Sequence, residues 1–312
     1  MIFEQQAGQK LWPACFAQWK DNMYLISALF TGVLITVMVA LNGKLSDGTG
    51  IYSSAVIIYI VSVLAAGLVL LLRRMPVLPK KKLPLWMYGV GIISVFSTVF
   101  TNFAFGKISV VAITALALLG QTLTSFVIDA LGLFGAQKRR VGKASVLCLL
   151  VSMLGCAVML SDAGGMQFVA MLLAFVSGIT LVVSRMINAE LAKSTGAVSG
   201  AFINHAVGLP AAVLAMLLLG QGEAGLLAGF GVLPWWAYMG GVLGISVVVL
   251  TNWFVPKISA LNGSLLLFVG QLASSVLIDA LCGFENPPRL IIGGAIIALG
   301  VAAGTILDSK QE

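Results

Sequence analysis

The chain has 312 residues, 18 Lys+Arg against 11 Asp+Glu for a net charge of +7, 60% hydrophobic residues and 9% charged ones. Soluble domains carry about 25% charged residues and about 45–50% apolar ones with glycine counted. A soluble enzyme, a disordered chain and a secreted disulfide scaffold are therefore excluded, and a polytopic membrane protein remains.

Residues 1–22 hold Trp12, Trp19 and scattered charges but lack the compact apolar core of a signal peptide. They are expected to form an N-terminal cytoplasmic segment, either held at the headgroups by its tryptophans or hanging free. Ten apolar runs follow, at 23–41, 51–72, 85–105, 108–134, 141–160, 166–187, 198–219, 234–254, 258–284 and 290–307. Each approaches the 20 or so helical residues that cross about 30 Å of hydrocarbon. The loops are too short for a soluble domain, and 308–312 form a tail. Ten crossings put both termini on one side with 15 of the 18 basic residues, Lys80-Lys81-Lys82 and Lys138-Arg139-Arg140 among them. Only Lys44, Lys107 and Arg289 fall on the other side. The positive-inside rule makes the first side cytoplasmic. Topology accounts for the basic charge, so a lipid bilayer is the expected partner and nucleic acid is not.

Cys15, Cys148, Cys156 and Cys282 form no C-x-x-C, and His205 is the one histidine, so no metal site is expected. Gly142-Lys143-Ala144 lacks the rest of a phosphate-binding loop, H-E-x-x-H is missing, and no haem or flavin motif occurs. Neither a catalytic residue, a cofactor nor an enzymatic activity is expected.

Shifted by 150 residues, the chain matches itself. Thr101-Asn102 meets Thr251-Asn252, Lys107-Ile108-Ser109 meets Lys257-Ile258-Ser259, Gly120-Gln121 meets Gly270-Gln271, and Ile128-Asp129-Ala130-Leu131 meets Ile278-Asp279-Ala280-Leu281. Upstream the shift is 146, where Asn42, Leu45 and Gly50 meet Asn188, Leu191 and Gly196. Many of these identities are polar, which shared hydrophobicity does not explain. The predicted fold is all-α integral membrane: ten transmembrane helices as two five-helix repeats, 23–160 and 166–307. Five is odd, so the second repeat enters the bilayer inverted, as in many secondary transporters.

Trp235-Trp236 followed by Gly240-Gly241-Val242-Leu243-Gly244, then Gln271 and Ile278-Asp279, resembles the YdcZ-type branch of the drug/metabolite transporter (DMT) superfamily, with its EamA-like organisation. Trp86, Gly89, Gly91, Gln121 and Ile128-Asp129 repeat that order in the first half, as do Asn42-Gly43-x-Leu45 with Gly50 and Asn188-x-x-Leu191 with Gly196. Single five-helix units are common in that branch, so this chain looks like a fused tandem form. The resemblance implies a ten-helix fold, the bacterial inner membrane and an exporter role, and carries no substrate with it.

At 100° per residue, Thr114, Gln121, Ser125 and Asp129 share one face of the fourth span, and Ser264, Gln271, Ser275 and Asp279 share the equivalent face of the ninth. These stripes either line a central cavity, with Gln121, Gln271, Ser125, Ser275, Thr114 and Ser264 contacting substrate, or bond the two helices together. Asp129 and Asp279 lie about 12 Å along the helix from the glutamines, near opposite interfaces. They either handle a proton or cation at the two mouths of the pathway, or hydrate a helix end or bond a neighbouring loop. His205, whose equivalent is Tyr59, is a candidate asymmetric site residue or a packing residue. Asn102 and Asn252 are expected to cap their helices. Arg185 is expected to snorkel to the interface, without a site role. Gly240 with Gly244 and Gly300 with Gly304 are expected to let helices approach closely.

The function expected is a secondary active transporter that moves a small molecule by alternating access around a midplane cavity. The alternative is a non-transporting membrane scaffold or assembly protein. An intramembrane enzyme would need a nucleophile beside His205.

Overall fold

The computed structural model describes the backbone of residues 2–77, 83–133, 143–161, 164–223, 225, 228, 233–254, 260–283 and 287–309. Side chains of 2–22, 129, 143–145, 252, 260–265 and 304–309 lie outside that description. The first half contributes α1 (Ile2–Thr49), α2 (Ile51–Leu72), the short α3 (Leu85–Tyr88) running into α4 (Val90–Ala104), α5 (Val110–Leu131) and α6 (Lys143–Leu160). The second contributes α7 (Gly165–Thr195), α8 (Ala197–Leu219), a 3-10 turn (Trp235–Met239) running into α9 (Gly240–Phe254), α10 (Ala260–Cys282) and α11 (Pro288–Ser309). Six helices are long and apolar enough to cross a membrane by themselves, and four shorter apolar stretches lie on the rest. The chain is an all-helical, multi-pass membrane protein. Its outer surface is apolar, with Leu71, Leu85 and Leu281 each three-quarters or more exposed. Trp86 and Trp235 stand exposed at two helix entries, where an amphipathic ring sits well at a headgroup boundary.

The duplication is visible in local detail. Both tryptophan-bearing entries start at a proline and break at a glycine, Leu85–Tyr88 before Gly89 and Trp235–Met239 before Gly240. The first helix of each half runs eight residues past its apolar stretch, to Thr49 and to Thr195. Each then stops at a left-handed glycine, Gly50 (φ 103°) and Gly196 (φ 89°), a backbone region that a side chain disfavours. These extensions correct the span ends at 41 and 187. Lys44, Asp47, Glu190 and Lys193 interrupt the hydropathy but not the helix, and Leu45 and Leu191 on them are fully buried. Residues 2–22 continue α1 as helix.

The halves interlock. α1 packs on α9 and α10 of the second half, and α7 packs on α4 and α5 of the first. α2 meets its own equivalent α8, and α6 meets its equivalent α11. Several crossings have no room for side chains, and two of them are equivalent under the duplication. A Cβ on Gly32 would overlap the Leu267 carbonyl oxygen, and one on Gly270 would overlap that of Leu29. The equivalent Gly178 and Gly120 stand in the same relation to the carbonyls of Ala117 and Phe175. Such backbone-to-backbone approach is how helices associate where lipid removes the hydrophobic drive. Gly300 likewise lies against Ser152 and the Cys148 carbonyl; Gly304 falls outside the described side chains.

Gly178→Ala is expected to force α5 and α7 apart at a cost of about 1–3 kcal/mol, lowering the unfolding temperature of the protein in detergent. Gly164→Ala, whose Cβ would meet nothing within 4 Å, should leave it unchanged.

Candidate functional site

The chain order sets α5 and α10 antiparallel, and Asp279 fixes their register. Its carboxylate, fully buried, accepts the N–H groups of Val110 (2.6 Å) and Val111 (2.9 Å). Ser109 Oγ accepts a third, from Ala112 (3.2 Å). A helix N-terminus leaves its first N–H groups unpaired, and a carboxylate there also meets the positive end of the helix dipole. The structure thus bonds Asp279 to the start of a neighbouring helix rather than to a loop. The Asp129 side chain lies outside the described residues.

Counting 1.5 Å per residue from that anchor puts Gln121 and Gln271 within about 4 Å of each other in depth, midway along their helices. They are not equivalent in surroundings. Gln271 is buried, and its backbone carbonyl accepts from Thr36 Oγ1 (3.1 Å). Gln121 is half-buried, and its Oε1 accepts from Arg185 Nη1 (2.8 Å). The rest of the stripe divides the same way. Thr114 is buried; Ser275 is fully buried with its hydroxyl on the Leu272 carbonyl (2.8 Å); Ser125, the equivalent of Ser275, is exposed. The Ser264 side chain lies outside the described residues.

The ends of the first helices repeat the pattern. Gly43 is buried beneath the Phe105 ring, which a Cβ there would overlap. Its equivalent, Ala189, is exposed. Gly43, Phe105, Ser275 and Asp279 all lie toward the face opposite the termini; Ala189 and Ser125 lie toward the face that carries them. Equivalent positions thus differ in burial: those toward the first face are covered, and those toward the second are exposed.

Arg185 corrects the sequence reading. With α7 ending at Thr195, Arg185 sits ten residues from the helix end, about 15 Å along the axis. Its guanidinium turns inward to Gln121, midway along α5, rather than outward to the interface. Its equivalent in the first half is Val39. The signal was available in sequence: an unduplicated arginine within an apolar run of a duplicated chain.

Beside it, Ser184 and Ser94 share a hydrogen bond (2.6 Å) between α7 and α4, and Ser97 Oγ donates to the Ser177 carbonyl (3.3 Å). The Tyr59 hydroxyl turns toward Ser94 and Thr98. His205 packs its ring on Tyr59, its own equivalent, at 5.2 Å between centroids, with Nδ1 on the Ala201 carbonyl (2.8 Å). The histidine lies at the edge of this polar cluster rather than beside Gln121. Asn102 also departs from expectation: its Nδ2 donates to Ser54 Oγ (2.9 Å), tying α4 to α2 instead of capping a helix. The Asn252 side chain lies outside the described residues. Among the described residues no group of three or more His, Cys, Asp or Glu could hold a metal ion. An apolar cleft of about 300 Å³ between α5, α6 and α7, lined by residues such as Leu119, Met153 and Phe168, offers a surface for acyl chains rather than for a polar solute.

Removing the Asp279 carboxylate leaves two buried N–H groups without a partner, at about 1–3 kcal/mol each. Asp279→Ala is therefore expected to lower the unfolding temperature in detergent well below that of Asp279→Asn, which keeps one acceptor oxygen.

Residues 23–158 and 169–307 each match one family model, DMT_YdcZ, described as "Putative inner membrane exporter, YdcZ". One crystal structure without a functional description aligns over 94% of this chain and 99% of its own, with a TM-score of 0.56 at 18% identity. That likeness bears on the fold alone. No curated protein matches the chain.

Proposed function

We propose that this chain, which belongs to the YdcZ family of inner-membrane exporters in the DMT superfamily, is a secondary active transporter that carries a small molecule by alternating access through the space between α5 and α10. One observation carries the reading: positions equivalent under the duplication differ in access. Ser125 is exposed where Ser275 is fully buried, Gln121 half-buried where Gln271 is buried, and Ala189 exposed where Gly43 is covered. Because the halves have the same parts, exchanging their conformations shuts the open end and opens the shut one.

The charge pattern supports placing both termini in the cytoplasm. With Arg185 counted as part of a helix, the termini side keeps 14 basic residues (15 − 1) against three on the other. The accessible end is then cytoplasmic, the side from which an exporter loads. A gradient of an ion or of the substrate supplies the energy. Since Asp279 is bonded to the start of α5, ion coupling in this reading falls to Asp129 alone.

The test is one-sided labelling. In a chain whose four cysteines are replaced by alanine, Ser125→Cys and Ser275→Cys are exposed in oriented vesicles to a membrane-impermeant maleimide. Ser125→Cys should react from the cytoplasmic side only, and Ser275→Cys more slowly and from the outer side only. If neither reacts from either side, the interior is filled and the scaffold reading replaces this one.

A further inference from the structure

The tight glycine crossings, the glutamines, the aspartates and the glycine stops occur twice. A residue present once serves something that is not two-fold, and the solute is the natural candidate. Arg185 is such a residue, with Val39 in its equivalent place. Its guanidinium, half-buried, lies beside the Gln121 end of the polar stripe. Among the described residues its hydrogen bond goes to a neutral amide, and no described carboxylate comes within 4 Å of it. A cation at membrane depth is costly and marks a functional path. A guanidinium also presents a planar fork of donors that fits a carboxylate or phosphate.

The surroundings differ between the halves in the same sense. Around Arg185 the α4–α7 crossing is polar, with Ser94 bonded to Ser184. At the equivalent α9–α1 crossing, Ser94 is replaced by Gly244 and Ser184 by Met38, and a Cβ on Gly244 would sit 3.6 Å from the Met38 sulfur. One side of the passage is cationic and hydroxyl-rich; the other is aliphatic with a thioether.

We infer that Arg185 and Gln121 hold the anionic group of the transported solute, a carboxylate or phosphate, while the Met38–Val39 side receives an apolar body. The solute class is a small amphipathic organic anion. This rests on the transport reading above and deepens it by naming what the passage accepts.

The test uses full-length protein in detergent and thermal shift with four probes: benzoate, phenyl phosphate, benzyl alcohol and tetraphenylphosphonium. Benzoate or phenyl phosphate should raise the unfolding temperature in a saturable way; benzyl alcohol and tetraphenylphosphonium should not. Arg185→Gln should weaken anion binding at least tenfold, Gln121→Ala by several fold, and Arg185→Lys should retain part of it. Lys193→Ala, which removes an exposed positive charge from the same helix, should bind as the parent does. Variants enter the comparison only if they elute as the parent does on size exclusion, and Gln121→Ala serves should both arginine variants fail. Binding that survives Arg185→Gln or Gln121→Ala unchanged overturns the inference. So does stabilisation by the cation alone, or by neither anion. Restoration of Arg185→Gln stability by a second Asp129→Asn change, with anion binding unaltered throughout, would make the arginine a structural partner of that aspartate and also overturn it. None of these results touches the labelling experiment, so a wrong solute class and a wrong transport mechanism are told apart.

Discussion

Helix crossings without side chains between them hold this molecule together, and two of them form an equivalent pair: α1 against α10 at Gly32 and Gly270, and α7 against α5 at Gly178 and Gly120. Each joins the first helix of one half to the fourth helix of the other. In a bilayer, tight backbone approach and interhelical bonds must supply the association that water drives elsewhere. Placing the closest approaches between halves makes the two repeats one body while leaving each repeat's own helices less tightly bound. The helices that carry the polar stripe, α5 and α10, are thereby each clamped to a helix from the opposite repeat.

From that constraint the site follows. An inverted repeat sets α5 and α10 antiparallel, so equivalent residues converge at mid-depth and separate toward the faces. The glutamines come to a shared level. The aspartates go to opposite ends, where Asp279 accepts the first N–H groups of α5 beside the N-cap Ser109. The same geometry puts Ser125 and Ser275 on opposite sides of mid-depth, and the first is exposed where the second is buried. Under the proposed transport reading, that difference is the one that two exchanging conformations would reverse.

The repeat was readable because its identities are polar. Gln121 with Gln271 and Asp129 with Asp279 have no reason to recur at a fixed shift in an apolar chain unless the unit was copied. The spans were readable from hydropathy, apart from the ends of α1 and α7. There, polar residues on a helix extending beyond the apolar stretch look like a loop. The same polar extension makes Arg185 look like an interface residue in sequence, whereas its guanidinium bonds Gln121 on α5, 64 positions away. Asn102 was misread for a different reason. Its partner, Ser54, lies 48 positions away on α2, and no local pattern announces such a tie. Which of two chemically alike equivalents is buried, Ser275 rather than Ser125, could not come from sequence at all.

The central claim is that two arrangements of the same parts exchange. It is tested most directly by double electron–electron resonance on spin-label pairs at equivalent positions: Lys44 with Phe103 at one face, Glu190 with Trp253 at the other. The account predicts two distance populations for each pair in liposomes, with the short population at one face growing as the short population at the other declines. A single unchanging distance at both faces, whatever solute or gradient is applied, would contradict it.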